Sequence, residues 1–531
     1  MRTPTFTPRA AHKLIIGLAA VLFTVVLAAA GARADRITLL HTNDTHSHLE
    51  SFDNFHGGVH APHTGGVARR ATLVAAVRAE GQPVLLLDAG DVFQGTPYFN
   101  FYHGRLDYEL MDRLHYDLGC LGNHDLDDGY AHFRELRGLR HFTVLAANVD
   151  APVAGGGPAG PLGPPDTILT AGSHQVGVFG LTTERLLEIV SRSRNPGLEV
   201  HPAAPIARAE VHKLRAAGCD LVVALSHLGV DDDQALADSV DGIDLIVGGH
   251  SHTFLTEMRL VKHAGAANGW GGTGIVQTGC FGINLGRIDV DFDGARPVTA
   301  RYRLVPADST VAEDPGIVAF MAPYKAAVDS AMNVQVGEAA GDFRKDVPGP
   351  ETALGDLVAE VVRQCSGADV GLVNWGGIRT PLAQGPIRAS DVYTMLPFDN
   401  EVVRVEMSGA QLRELFDFIA GLGRRESGGR GAPAGGAARR AGVARGQIAG
   451  ASFVEGAAGA ESIQVGGAAL DPARTYTVGT IDFLSSGGDG FEMLHRCKSS
   501  PVGNGVFLRD AMITYLKQKG TVTPATDGRL R

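Results

Sequence analysis

From residue 35 to about residue 305 the chain alternates short apolar runs with longer amphipathic stretches. The runs read ITLLH, VLLLDAGD, YDLGCLGNHD, FTVLAAN, QVGVFGLT, DLVVALSH, DLIVGGHSH and GIVQTG. Each has the length of a strand, and the segments between them predict helices, which is the rhythm of an α/β layer structure. The pattern changes at VPADSTVAEDPG, a polar stretch with two prolines. After it, IVAFMAPYKAAVDSAM has helical spacing and predicts a connecting helix. The expected organisation is a layered α/β domain over 35–305, a linker with its helix over 306–334, and a smaller α/β domain over 335–525. A chain of 531 residues is also too long for one ordinary core.

Two segments stand outside this rhythm. GRRESGGRGAPAGGAARRAGVARG, residues 423–446, has almost no large apolar side chains and predicts a flexible surface insertion. At the start, Arg2, Arg9 and Lys13 precede LIIGLAAVLFTVVLAAA, which is followed by ARA. That three-part pattern predicts a secretory signal over 1–34, cut between Ala34 and Asp35, with an uncleaved anchor as the alternative. No second apolar stretch of spanning length follows, and the polar TPATDGRLR is not a lipid-anchor tail, so no stable membrane anchor is expected after signal removal. The expected location is secreted, in the periplasm.

The signal carries four basic residues and no acidic one, so its removal takes the formal charge from −11 to −15. An acidic surface argues against a nucleic-acid polymer as partner, because phosphate backbones require a basic footprint. A small anionic ligand held by local cations is compatible with it. Cys120, Cys219, Cys280, Cys365 and Cys497 form an odd set without CxxC spacing, so no disulfide framework is expected, although one bridge among the five is left open.

The candidate chemistry lies where apolar runs stop. ITLLHTNDTHSHLE delivers Asp44 and His46; LLLDAGD ends on Asp91; LGCLGNHDLDDG delivers Asn123, His124, Asp125 and Asp127; VVALSHLG ends on His227; LIVGGHSH delivers His250 and His252. In an extended segment residues two apart share a side, which would let Asp44 and His46 reach one point. Open α/β sheets place their ligand crevice beyond the carboxyl ends of strands, so five such ends can converge. Imidazoles, carboxylates and an amide oxygen suit divalent first-row metals such as Mn, Zn or Fe(II) better than Ca or Mg. Seven donors with one bridging carboxylate are enough for two ions, which together bind phosphoryl oxygens and acidify a shared water.

These blocks, Asp-x-His, GD, GNHD, a strand-end His and GHSH, resemble the calcineurin-like metallophosphoesterases. HTNDTHSHLE, GNHDLDDG and GGHSHT resemble the 5′-nucleotidase branch of that superfamily. The resemblance implies an N-terminal layered αββα domain and a smaller α/β substrate-binding domain. It implies one metal on Asp44, His46 and His252, a second on Asn123, His227 and His250, and Asp91 bridging both. It makes His124 the group that faces the phosphate and stabilises the departing oxygen, with Asp127 orienting it. His41, His48, His56, His60 and His63 are expected in loop or supporting roles, Asp88 and Asp125 as structural, and Asp231 to Asp233 as a solvated helix start.

The second domain offers LVNWGGIRT, with a glycine pair before Arg379, where bare backbone and a guanidinium can approach phosphate. MLPFDNEVV offers Phe398 with Asn400, and VGTIDFLSSGGDGF offers Phe483 and Asp489. Two rings at loop positions can clamp a flat base. By resemblance Phe398 and Phe483 sandwich a nucleobase, Asn374 and Asn400 lie near base or ribose, Arg379 meets phosphate, and Asp489 meets the ribose hydroxyls. Trp375 replaces the family's small residue and Ala353 its asparagine; Arg344 is a candidate for an upstream arginine. The implied activity is 5′-nucleotidase, removing phosphate from nucleoside 5′-phosphates. The alternatives are a 2′,3′-cyclic nucleotide phosphodiesterase or UDP-sugar hydrolase, more distantly a thiosulfohydrolase, or a non-catalytic binding protein.

Overall fold

The computed structural model describes residues 35–54, 61–153, 159–192, 194–345, 347, 349–427, 446–456, 459–502 and 506–531. The signal at 1–34, His56, His60 and residues 428–445 of the expected insertion lie outside them. Residues 423–427 continue the Gly409–Ser427 helix.

Two six-stranded sheets form the first part of the molecule. In one, Arg36–Thr42 lies between Asn284–Asp293, antiparallel to it, and Val84–Asp88, parallel to it; Leu118–Cys120 and Thr143–Leu145 extend the parallel side. In the other, His174–Thr182, Leu221–His227, Leu245–Gly248 and Gly272–Val276 run parallel. Alternation explains the layering. Ile37, Leu39, Leu85, Leu87, Val223 and Val247 point into a shared core between the sheets. Leu40 and Leu86 point the other way into the helices of their own sheet, while Val222 and Ile246 do the same for the second sheet. Burying each such side chain stabilises the fold by about 1.5–3 kcal/mol. The result is the αββα arrangement.

Register then fixes where the chemistry falls. Thr42 pairs with Asp88, and Thr182 with His227, so the parallel strands end in step. Their outgoing loops gather on one rim.

The Pro315–Met332 helix starts on Asp314, whose carboxylate accepts from the Ile317 amide at 2.9 Å. It returns across the first sheet's helices, where the Tyr102 hydroxyl donates to the Tyr324 carbonyl at 3.2 Å. Beyond it, Gly446–Ala449, Val370–Asn374, Thr475–Ile481, Val402–Ser408 and Lys498–Pro501 form a five-stranded sheet. The Ala353–Ser366 helix packs on this sheet through Leu354, Val358, Val361 and Val362. Thr521–Val522 joins the Gln335–Ala339 strand, and Leu530 bridges Phe453. Among the described residues, no helix is long and apolar enough to cross a membrane.

Two expectations are corrected here. His41 is a fully buried strand residue stacked 5.9 Å from Tyr302, not a loop histidine. Asp233 is also fully buried and accepts from the Ser226 hydroxyl at 2.5 Å, so only Asp231 and Asp232 belong to an exposed helix start. All five cysteines are free thiols.

Candidate active site

The loops after Thr42 and Asp88 run together as a backbone pair: the amides of Asp44, His46 and Ser47 donate to the carbonyls of Gly90, Asp91 and Val92. Asp44 and His46 are not extended, as the spacing argument assumed. Both sit at positive φ, 50° and 48°, and it is this tight left-handed turn that brings their side chains to one point. Asp91, His250 and His252 also have positive φ, at 55°, 72° and 53°. Each such backbone costs of order 1 kcal/mol, and strain of this kind persists only where the surroundings enforce it. Gly122 shows the enforcement: a Cβ there would lie 2.1 Å from the Asp91 amide nitrogen and 2.3 Å from Oδ1.

The donors form two adjoining groups. Ligand atoms of Asp44, His46 and His252 lie within 4.8 Å of one another, as do those of Asp91, His227 and His250. Asp91 Oδ2 is 3.2 Å from His227 Nε2 and 3.9 Å from His46 Nε2, so one carboxylate faces both groups. The tautomers are set from behind. His227 Nδ1 donates to the Ala89 carbonyl at 2.7 Å, and His46 Nδ1 faces the Phe93 and Gln94 carbonyls at 3.1 and 2.9 Å. In the neutral form of each ring the Nε2 lone pair points inward. Burial would lower the His227 pKa, but with no cation between them Asp91 raises it to about 10, so a bound ion takes the place of that proton. His46 Nε2 and His252 Nε2 stand 3.0 Å apart, and buried Asn123 Oδ1 and His227 Nε2 lack hydrogen-bond partners. Inward lone pairs and unpartnered oxygens are what a cation requires. The donor set fits divalent metal ions.

Electrostatics reinforce this. Burial alone would push Asp91 up, but the facing charges of His227 and His124 hold it well below the usual carboxylate range. Burial pushes His46 far down and takes His250 to about 4, so both favour the neutral, metal-binding form.

Asp88 and Asp125 do not join the donors. Asp88 accepts from the Thr42 hydroxyl at 2.5 Å and the Gly90 amide at 2.9 Å. Asp125 accepts from the Val92 and Gly122 amides at 3.2 and 2.8 Å. Both brace the loops. His124 sits beside the donors, its amide donating to Asp91 Oδ1 at 2.8 Å and its Nδ1 2.9 Å from Asp127 Oδ2. Burial disfavours its charged form, but Asp127 and Asp91 outweigh that and raise its pKa.

A cavity of about 440 Å³ opens over these groups and continues into the second domain. Its walls include Asp91, Asn123, His124, Asp127, His250 and His252 from the first domain. Asn374, Arg379, Phe398, Asn400, Phe483 and Asp489 complete it from the second. The Val370–Asn374 strand delivers Asn374, whose amide donates to Asp489 Oδ2 at 2.7 Å while its buried Oδ1 has no partner. Arg379 follows the glycine pair, its guanidinium 5.8 Å from the Phe398 ring. Trp375 and Arg344 line no part of this cavity; Trp375 turns toward Lys345, 5.2 Å from its ring, and Arg344 is exposed.

The cavity also holds residues the sequence did not single out: Gln94, Ser191, Arg194, Asp399 and Asp482. Asp399 and Asp482 adjoin Phe398 and Phe483, and their motifs gave the signal. Arg194 had none. It comes from the loop between the Leu186–Ile189 helix and the Glu199–Val200 strand, donating to the Asp127 carbonyl at 3.1 Å and the Asp399 carbonyl at 2.6 Å.

Residues 37–254 match the family described as calcineurin-like phosphoesterase, and residues 335–496 match the 5′-nucleotidase C-terminal domain. With the donor clusters on the sheet rim, fold and site define a metal-dependent phosphoester hydrolase. A snake venom 5′-nucleotidase of Naja atra is 30% identical over 93% of this chain and 98% of its own. The structure of a 5′-nucleotidase precursor from Thermus thermophilus superposes with a TM-score of 0.79 at 31% identity, over 93% of this chain and 99% of that one. The chain belongs to the 5′-nucleotidase family. A Thermus thermophilus sulfate thiohydrolase shares the fold, with a TM-score of 0.72 at 20% identity over 94% and 97% of the two chains.

Proposed function

We propose that this enzyme is exported and removes phosphate from nucleoside 5′-phosphates at a centre for two divalent ions. The observation that carries the reading is one cavity lined both by metal-type donors, Asp91, Asn123, His250 and His252, and by the rings of Phe398 and Phe483. A substrate that fills it carries a phosphate and a flat apolar group. Export rests on the signal pattern at 1–34.

Asp44, His46 and His252 would hold one ion, Asn123, His227 and His250 the other, with Asp91 between them. When bound, the ions supply charge for phosphoryl oxygens and acidify a water for in-line attack. The chain's own groups do the rest. Arg379 orients the phosphate through its fork of donors. His124, held by Asp127 at Nδ1, presents Nε2 to the leaving 5′ oxygen and gives it a proton or stabilises its charge. Phe398 and Phe483 take the base on its two faces, Asp489 the ribose hydroxyls, and Asn374 and Asn400 the polar edge nearby.

A substrate panel tests this on protein reconstituted with Mn or Zn. AMP is expected to be turned over with higher kcat/KM than UDP-glucose, cyclic CMP or thiosulfate esters. Preference for any of the last three would replace the 5′-nucleotide assignment while leaving the metal centre in place.

A further inference from the structure

We infer that Glu351, Asp356 and Asp527 form a second cation site, of the calcium type, that fastens the end of the chain to the second domain. None of the three lines the reaction cavity. One carboxylate oxygen from each lies within 4.8 Å of the other two.

Asp356 carries the argument. It occupies the first turn of the Ala353–Ser366 helix, is 4% exposed, and neither of its carboxylate oxygens has a hydrogen-bond partner. Such a carboxylate is costly unless it takes up a proton or faces a cation. Burial and the facing Glu351 carboxyl raise the Asp356 pKa to about 8, so a cation here would displace a shared proton. The protein's own cation is engaged elsewhere. Arg529 Nη1 stands 3.8 Å from Asp356 Oδ1, and it reaches the backbone carbonyls of Asp356 and Ile448 at 3.4 and 3.1 Å. Arg529 Nε donates to both oxygens of Asp527, at 2.8 and 2.9 Å. Glu351 is held in place by backbone donors: Oε1 accepts from the amides of Asp527 and Gly528 at 2.9 and 3.0 Å, and Oε2 from that of Leu530 at 3.4 Å.

With all three carboxylates ionised, one guanidinium leaves two formal negative charges, the complement of one divalent ion that displaces the Asp356 proton. Every donor is oxygen, which selects a hard cation; calcium tolerates irregular carboxylate sets, whereas magnesium demands near-octahedral geometry. The donors come from the residue before the helix cap, from the first helical turn, and from the final segment. The Thr352 hydroxyl fixes the turn by accepting from the Gly355 amide at 2.9 Å, and the final segment already pairs with Phe453 through the Arg529 carbonyl at 2.9 Å. A bound ion would join the two.

The test uses the full chain, first loaded with Mn so that the histidine-containing clusters are filled, then titrated with CaCl2. Calorimetry is expected to show one saturable Ca²⁺ per chain, and melting to show a Tm rise of about 5 °C at 100-fold excess over Kd. Asp356→Asn and Asp527→Asn are expected to lose both responses, and Asp44→Asn to keep them. Asp527 is largely exposed, so its variant folds even if the Asp356 variant does not. Absence of a Ca²⁺ response in the wild type, or its survival in Asp527→Asn, overturns the site. Neither result bears on AMP hydrolysis, so this inference and the catalytic reading fail separately.

Discussion

The imidazole of His124 and the ring of Phe398 stack across the two domains, 5.6 Å between centroids and 18° between planes. The group proposed to act at the leaving oxygen thus stacks on the ring proposed to hold the base. Base–aromatic stacking contributes about 1–3 kcal/mol, so Phe398→Ala is expected to raise KM for AMP by about 5- to 150-fold. A phosphate monoester without a base, such as glycerol phosphate, should show little change in KM. Equal losses on both substrates would mean that Phe398 acts on His124 and not on the base.

Among the described residues, Asp91 is the carboxylate that lies close to imidazoles of both donor groups, 3.9 Å from His46 and 3.2 Å from His227. Asp91→Ala is expected to reduce bound metal below two ions per chain by elemental analysis. It should also lower kcat by more than about 100-fold, since even groups that only orient metal ligands cost 10- to 100-fold. Full metal content with retained turnover would remove the bridging role.

Gly122 lets the third loop lie against Asp91. Gly122→Ala forces a methyl group to 2.1 Å from the Asp91 nitrogen, and a backbone contact of that kind cannot be relieved by rotating a side chain. Metal affinity and turnover should fall together. Gly421→Ala, in a helix with no heavy atom within 4 Å, is the matched control and should leave both unchanged.

Arg194 links the carbonyl behind the His124 partner to the carbonyl between Phe398 and Asn400. Hydrogen bonds from a charged donor contribute about 1.5–3 kcal/mol, so Arg194→Met is expected to cut kcat/KM for AMP by about 10- to 150-fold. Glycerol phosphate should be less affected. Arg194→Lys, with a single point charge, should recover only part of the loss.

Arg194 also marks where sequence reasoning stops. The strands were legible because each apolar run has the right length and alternation, and parallel pairing in register then brings Asp44, Asp91, Asn123, His227 and His250 to one rim. The turn geometry was not legible: Asp44 and His46 looked extended, and only the paired loops force them to positive φ. His41 and Asp233 were misplaced because burial of a polar residue, stacked on Tyr302 in one case and bonded to Ser226 in the other, is set by tertiary packing and leaves no periodic trace. Asp399 lay unremarked between two residues that were named. Arg194, in a loop between a short helix and a strand with no repeat or motif, acquires its place from tertiary contacts to Asp127 of its own domain and Asp399 of the other.

His103 supplies a pH dependence away from the metal donors. Its Nδ1 lies 2.8 Å from Asp128 Oδ2, and this hydrogen bond, opposed by burial and aided by the Asp128 and Asp399 charges, raises its pKa. Arg509 acts against them. A folded-state pKa above the unfolded value means that the folded state binds the proton more tightly. The stabilisation is therefore fully present below the ordinary histidine pKa of about 6.5 and is lost as pH rises through the raised value. The Tm difference between wild type and His103→Gln should be largest at acidic pH and shrink toward zero in mildly alkaline buffer. The ring is half exposed, so the difference should be small and should narrow with added salt. A difference that grew with pH would show that neutral His103, and not its charged form, is the one the fold favours.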